Sequence, residues 1–292
     1  LAKGGTTLLI IDPQRDFHDG GSLAVPNAST DAKRIASFIR SFHSQIDRIV
    51  VTLDSHHKLH IAHPTFWKSK DGKHPTPFTI ISSEDIKNGK WQPREDLMLP
   101  VDQQLVDPNI FKMKTELLGR PKKFYLKEYC IEYTERLEAS KKFSLCIWPE
   151  HCLIGSPGHC IVEEIMTALH EWCASTGKSI EFVMKGQNLL TEMYSALRAE
   201  VEVSSDTVLN RKLLDSLSSS DRILICGEAL SHCVNYTARD LIDNMPGEEH
   251  KIEILKNCSS SVSSFEKVGE EFLQYVLKKG GKVHEDCNTI KL

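Results

Sequence analysis

The chain has 292 residues, 26% of them charged, and a formal net charge of −4, which is ordinary for a globular enzyme. The slight negative balance argues against nucleic-acid binding, and no apolar run approaches the roughly 20 residues that span a bilayer. Nine cysteines, an odd number without regular spacing, favour reduced thiols, so we expect a cytoplasmic, reducing environment.

The first predicted strand covers residues 6–12 and ends at Asp12. Its carboxylate can act as a general base if a thiol lies within hydrogen-bond reach. An aspartate after a strand is more often a turn or cap residue, and Phe17 would then be an ordinary core aromatic. Residues 31–44 place apolar side chains on one face and predict an amphipathic helix.

The second predicted strand, residues 49–53, leads into a segment rich in metal-binding side chains. Residues 54–63 contain one aspartate and four histidines. Asp54 and His56 are two apart on an extended segment, so their side chains point the same way and can share one ion. A solvated polar loop is the alternative. The density of carboxylate and imidazole ligands favours a site for Zn, Mn or Fe.

Two later predicted strands are also followed by residues that can take part in catalysis. Residues 180–184 are followed by Lys185, although a lysine is most often a surface residue. Residues 223–226 are followed by Gly227, and Cys233 stands where a helix over residues 234–242 begins. Backbone N–H groups and the helix dipole at this end favour a thiolate. The alternative is a small, unreactive buried cysteine, which is the commoner state.

Strands that alternate with helical patterns of 10–15 residues predict an α/β fold, a doubly wound and mostly parallel sheet with helices on both faces. Ligands of such sheets bind outside the carboxyl ends of the strands. The fold would therefore bring Asp12, Asp54, His56, Lys185 and Cys233 to one crevice.

Five sequence blocks in this order resemble the isochorismatase-like cysteine hydrolases, and most of all the nicotinamidases. The blocks are residues 11–17 with 20–26, 52–56, 148–152 with 155–158, the segment at 185, and 227–233. The resemblance covers residues 6–66 and 145–290.

The resemblance implies hydrolysis of nicotinamide to nicotinate and ammonia through a cysteine thioester, in NAD salvage. Cys233 would be the nucleophile, Asp12 would take its proton, and Lys185 would hold the charges. The backbone N–H groups of Ala229 and Cys233 would form the oxyanion hole, with a cis peptide bond between Glu228 and Ala229.

The resemblance also implies a substrate pocket beside a metal ion. The aromatic residues around the substrate ring would be Phe17, Trp148 and Tyr194. The metal ligands would be Asp54, His56 and His151, with zinc the expected ion and Mn or Fe the other candidates. Waters rather than His60 would complete the coordination sphere.

Residues 68–144 depart from the family pattern, in which the connection is much shorter. We interpret the chain as one hydrolase domain over residues 1–292 with an insertion at 68–144. The insertion has helical periodicity over residues 125–140 and too much apolar content for a disordered linker. We expect it beside the active-site mouth or at a subunit interface of a homo-oligomer, where it would influence specificity.

Two other functions remain open from the sequence. One is another cysteine amidase of the same superfamily, acting on a different carboxamide or N-carbamoyl substrate, which the long insertion favours and the metal ligands disfavour. The other is a binding domain that retains these site residues but does not catalyse a reaction. An isochorismatase proper is disfavoured because those enzymes lack the cysteine nucleophile.

Overall fold

The structure is a computed structural model that describes residues 4–99, 105–113, 126–140 and 142–292. In this part of the chain the strands are β1 (Thr6–Ile11), β2 (Arg48–Asp54), β3 (Trp67–Lys68), β4 (Ile80–Ile81), β5 (Gln92–Pro93), β6 (Leu145–Cys146), β7 (Glu181–Lys185), β8 (Arg222–Gly227), β9 (Ile252–Leu255) and β10 (Lys282–His284). The α-helices are α1 (Ala28–Ser41), α2 (Ser83–Lys87), α3 (Leu126–Ser140), α4 (Glu163–Thr176), α5 (Arg211–Ser218), α6 (Cys233–Asn244) and α7 (Glu266–Lys279).

Six strands form one parallel sheet in the order β10-β9-β8-β1-β2-β7. All six residues of β1 are buried, as expected for a central strand covered on both faces. Helices α1 and α4 pack with Leu8 and Ile10 of β1 on one face. Helices α6 and α7 pack with Leu9 and Ile11 on the other. The predicted doubly wound α/β fold is therefore confirmed.

The predicted elements are present with shifted ends. Helix α1 begins at Ala28 rather than at residue 31, because Ala28 is itself buried against the sheet, and Asp31 lies in its first turn. The short strand β10 was not predicted from the sequence. It pairs with β9 and forms the edge of the sheet.

Within its described residues, the middle of the chain forms small antiparallel strand pairs and the helices α2 and α3. Strand β3 pairs with β5, β4 pairs with β6, and α2 packs against α3. The hydroxyl of Tyr129 on α3 donates a 2.5 Å hydrogen bond to the Leu190 carbonyl, and the Tyr133 hydroxyl accepts one from the Glu192 N–H at 2.9 Å. This segment thus supports the loop after β7. The predicted helix start at residue 125 lies outside the described residues, and the interpretation of 68–144 as an insertion stays a prediction.

None of the helices within the described ranges combines the length and the apolar character that crossing a bilayer requires.

Candidate active site

The carboxyl ends of four neighbouring strands bring the predicted side chains together. Asp54 at the end of β2 is in register with Lys185 at the end of β7, and Ile11 of β1 is in register with Gly227 of β8. Asp12 follows β1 directly. Because the strands are parallel, their ends lie along one edge of the sheet, where ligands bind in such folds.

Gly227 is required where β8 turns toward Cys233. Its φ is +106°, and a Cβ atom at this position would lie 2.0 Å from the Ile11 carbonyl oxygen. Any larger residue would push β8 away from β1. The glycine therefore lets the turn after β8 lie directly beside Asp12.

Lys185 connects Asp12 and Cys233, the other two predicted catalytic residues, in one buried cluster. Its Nζ lies 2.9 Å from Asp12 Oδ2, 3.0 Å from Asp54 Oδ1 and 3.5 Å from Cys233 Sγ. Thr52, which was not singled out from the sequence, donates a 2.5 Å hydrogen bond from its hydroxyl to Asp12 Oδ1. The structure thus places Asp12, Lys185 and Cys233 within reach of one another.

The charges of this cluster are set by burial and by each other. Burial alone would lower the pKa of Lys185, but the carboxylates of Asp12 and Asp54 raise it well above its ordinary value. Burial raises the pKa of Asp12, although Lys185 opposes the shift. The lysine therefore stays charged, and Asp12 binds a proton more readily than an exposed aspartate.

The sequence favoured a thiolate at Cys233, and the structure favours a protonated thiol. It is the first residue of α6, as predicted, but its side chain is buried. Burial raises the pKa of the Cys233 thiol well above its ordinary value, and Lys185 opposes this only in part. Burial opposes the thiolate that the helix N-terminus favours, and with its pKa raised the resting thiol keeps its proton until a base removes it.

Lys185→Met is expected to lower the free energy of unfolding of the metal-free protein by about 3–5 kcal/mol. The change leaves two buried carboxylates, Asp12 and Asp54, without their shared ammonium. Urea unfolding followed by circular dichroism measures the loss.

Lys178→Met is the matched control. Lys178 pairs with Asp47 at 3.5 Å, and both side chains are more than 40% exposed. Its removal is expected to cost less than about 1 kcal/mol. Equal losses for the two variants would mean that Lys185 does not neutralise the buried carboxylates.

The three predicted metal ligands, Asp54, His56 and His151, lie close to one another. Asp54 Oδ2 lies 3.1 Å from His56 Nε2 and 3.2 Å from His151 Nε2, and all three residues are buried. The Nδ1 atoms of the two rings donate to the carbonyls of Gly186 and Pro149. This leaves each Nε2 available to a cation, in the orientation typical of metal-binding histidines.

His63 has the same orientation, which the sequence did not reveal. Its Nδ1 lies 3.3 Å from the Lys58 carbonyl, and its buried Nε2 has no hydrogen-bond partner among the described residues. His60 belongs to the same cluster as His56 and His63, but both of its ring nitrogens are occupied: Nδ1 accepts from the Ala62 N–H and Nε2 donates to the Thr191 carbonyl. His63 is therefore better prepared than His60 to bind a metal.

A small pocket opens above Cys233. The lining residues are Phe17, Leu23, Asp54, Trp148, His151, Glu192, Tyr194, Ala229, His232, Cys233 and Val262. The Trp148 indole donates a 3.0 Å hydrogen bond to the Tyr194 hydroxyl, and the His232 ring lies 5.2 Å from both rings. This aromatic lining, with a few polar groups, suits a planar ring with a small polar substituent.

Glu192 and His232 are pocket residues that sequence reasoning did not assign. Burial raises the pKa of Glu192 and lowers the pKa of His232 to about 4, so both tend toward their neutral forms. His232 directly precedes the nucleophile and could have been noticed for that reason. Glu192 comes from the loop after β7, whose path only the structure shows.

Ala229 and Cys233 both line the pocket, and each carries a backbone N–H. The N–H of Cys233 has no partner within α6, because it is the first residue of the helix. The N–H of Ala229 donates to no carbonyl or side chain in the described part of the chain. The peptide bond between Glu228 and Ala229 is cis, as the family resemblance implied.

Comparison with known proteins finds relatives by structure. No protein-family model and no curated protein matches the sequence. A nicotinamidase/pyrazinamidase of Acinetobacter baumanii matches with a TM-score of 0.60 and 17% identity, over 99% of both chains. The yeast nicotinamidase Pnc1p, bound to the inhibitor nicotinaldehyde, matches with a TM-score of 0.60 and 20% identity, over 95% of this chain and 98% of that one.

A third solved structure, the pyrazinamidase of Pyrococcus horikoshii in complex with zinc, has a TM-score of 0.53 and 18% identity, over 96% of this chain and 98% of that one. At such identities the likeness establishes the fold. Together with the strand order of the sheet, it shows that this chain has the isochorismatase-like α/β fold shared by these nicotinamidases and pyrazinamidases.

Proposed function

We propose that the protein hydrolyses nicotinamide to nicotinate and ammonia, a step of NAD salvage. The observation that carries the proposal is the cluster of Asp12, Lys185 and Cys233 at the floor of an aromatic pocket, next to a ready set of metal ligands. The relatives in fold that act on nicotinamide and pyrazinamide support the same substrate class.

The first step is removal of the thiol proton. Asp12 takes the proton from Cys233 Sγ as the sulfur approaches the amide carbon. Lys185 lies within 3.5 Å of both groups and keeps the pair stable while the negative charge moves from oxygen to sulfur. Burial raises the pKa of Asp12, which makes its carboxylate a stronger base than that of an exposed aspartate, and the Lys185 ammonium stabilises the thiolate as it forms, which opposes the effect of burial on the pKa of Cys233.

The second step is attack on the amide carbon. A carbon–sulfur bond forms, the carbonyl oxygen becomes an oxyanion, and the N–H groups of Ala229 and Cys233 donate to it. Asp12 then returns its proton to the amide nitrogen, the carbon–nitrogen bond breaks, and ammonia leaves. A water molecule attacks the thioester carbon, and Asp12 accepts one of its protons. The carbon–sulfur bond then breaks, Asp12 returns this proton to Sγ, and the carboxylic acid leaves and ionises to nicotinate.

The donor set fits one divalent cation, and zinc is our preferred ion. Asp54, His56 and His151 would hold it, and the unpartnered His63 Nε2 makes this residue a further candidate ligand. A carboxylate with neutral imidazoles suits Zn, with Mn or Fe as alternatives. When bound, the ion would supply a Lewis acid for the pyridine nitrogen of the substrate. Phe17, Trp148 and Tyr194 would enclose the ring.

The experiment that tests the function is ammonia release from nicotinamide by the purified protein, before and after chelation, with metal content measured on the same sample. We expect release that falls as metal is lost and returns when zinc is added back. No release from a protein that contains metal and a reactive Cys233 would contradict nicotinamide as the substrate.

His63→Ala is expected to weaken zinc affinity by at least about tenfold, as measured by competition with a chromophoric chelator. His60→Ala is the matched control, since its ring nitrogens are already hydrogen-bonded, and it should leave the affinity within about threefold of the wild type. Equal affinity of the His63 variant and the wild type would remove His63 from the ligand set.

A further inference from the structure

Glu228 is a buried acid that the proposed reaction does not use. Its side chain is 1% exposed, and it directly precedes Ala229, whose N–H is one of the two proposed oxyanion donors. That N–H belongs to the same peptide unit as the Glu228 carbonyl. Whatever holds Glu228 therefore also fixes the direction of the donor.

The loop of residues 259–262 is hydrogen-bonded to the turn that carries the donors. Ser260 uses all three of its polar groups: its N–H donates to Glu228 Oε2 at 3.3 Å, its carbonyl accepts from the Leu230 N–H at 2.7 Å, and its hydroxyl donates to Asp31 Oδ2 at 2.5 Å. Further along, the Val262 N–H donates to the Ser231 hydroxyl at 3.1 Å. The turn is thus held on both sides of Ala229.

Asp31 anchors this network to α1. It is 1% exposed, and Arg34 Nη1 donates to its Oδ1 at 3.2 Å. Burial, and then the Asp31 carboxylate beside it, raise the pKa of Glu228 well above its ordinary value. Glu228 Oε1 is buried and without a hydrogen-bond partner among the described residues, and the raised pKa favours the protonated carboxyl group, which can donate to the neighbouring Asp31 carboxylate.

We propose that Glu228, Ser260 and Asp31 form a positioning network that aims the Ala229 N–H at the developing oxyanion. Glu228 is the central residue, because its side chain accepts from the loop and contacts α1 while its own peptide unit carries the donor. A leucine or valine would fill this buried site as well, so the acid at this position is explained by its contacts rather than by packing. The inference rests on the proposed chemistry of Cys233.

Nicotinaldehyde is the probe that separates this role from general stability. Addition of Cys233 Sγ to the aldehyde carbon forms a carbon–sulfur bond and turns the carbonyl oxygen into the oxyanion, while the thiol proton passes to Asp12. No group leaves and no oxidant is needed. Nicotinate occupies the same pocket without this bond, so its affinity reports on the pocket alone.

Glu228→Leu is expected to weaken nicotinaldehyde binding about tenfold to hundredfold, with nicotinate affinity unchanged within about twofold, in isothermal titration. Glu228→Gln should keep the wild-type affinity for nicotinaldehyde, since its amide can donate to Asp31 and accept from the Ser260 N–H. Glu285→Gln is the control, because Glu285 is an exposed carboxylate near the same loop, with a side chain 75% exposed.

If Glu228→Leu does not fold, Ser260→Ala replaces it. This variant loses only the bond to Asp31 and is expected to weaken aldehyde binding about threefold to tenfold. Unchanged aldehyde affinity in the folded variants, or an equal loss for both ligands, would overturn the network. A wild-type protein that forms no adduct with nicotinaldehyde would also overturn the network. A wild-type protein that binds the aldehyde but releases no ammonia from nicotinamide would refute the proposed substrate and leave the network standing.

Discussion

Cys233→Ala is expected to lower ammonia release from nicotinamide by about 10⁴-fold or more, because the variant has no atom that can form the thioester. The substitution removes one small buried side chain, so the free energy of unfolding should fall by only about 1 kcal/mol. A coupled assay for ammonia measures the first quantity, and urea unfolding measures the second. The protein should remain folded while losing its activity.

Cys160→Ala is the control for this variant, since Cys160 is exposed and does not line the pocket. We expect wild-type rates from it. Iodoacetamide provides a second measure: Asp12 can accept the thiol proton as Sγ attacks the reagent, so Cys233 in the wild type should react despite its raised pKa, and the reaction should slow in the presence of nicotinate. Persistent ammonia release by Cys233→Ala would end the thioester mechanism. An unreactive Cys233 would instead favour a non-catalytic binding domain.

Residues that directly end a buried strand could be predicted from the sequence. Asp12, Asp54 and Lys185 each follow an apolar run, and parallel strands bring such positions to one edge whatever their exact register. The alternation of strands with helical patterns predicted the doubly wound sheet. Cys233 required more, because it lies six residues beyond Gly227, and the path of that turn depends on contacts with the loop of residues 259–262.

Residues on long loops could not be assigned in this way. His60 and His63 stand in the same histidine-rich segment, and only the partners of their ring nitrogens distinguish them. Glu192 reaches the pocket through a loop supported by Tyr133 of α3, a contact between segments 59 residues apart. Such contacts depend on tertiary packing, which hydrophobic periodicity does not encode.

The proton affinity of Cys233 shows a further limit of the sequence. A helix N-terminus is a local feature and favours a thiolate. Burial is a property of the whole fold, and here it raises the pKa of the thiol well above its ordinary value, with Lys185 opposing the shift only in part. The mechanism therefore needs a base close to Sγ, and this gives Asp12 a greater role than the sequence alone suggested.

Asp12→Asn is accordingly expected to lower kcat by about 10²- to 10⁴-fold, because the amide cannot accept the thiol proton. The side chains have nearly the same shape, and the bond from the Thr52 hydroxyl to Oδ1 can be kept. Asp19→Asn, an exposed change on the same segment, is the control and should leave kcat unchanged.

The pH–rate profile distinguishes loss of a base from loss of structure. Asp12 acts as a base only when it is ionised, and burial raises its pKa, so kcat/KM of the wild type should fall on the acid side at a higher pH than an exposed aspartate would give. In Asp12→Asn this acid limb should disappear, since the titrating group is gone, and the residual rate should rise with the fraction of Cys233 thiolate.

A variant that keeps the acid limb, or that stays within tenfold of the wild-type rate, would show that another group removes the thiol proton. Because Glu192 is a further buried carboxyl group on the pocket wall and is not a proposed metal ligand, Glu192→Gln would then be the variant in which to look for loss of the acid limb.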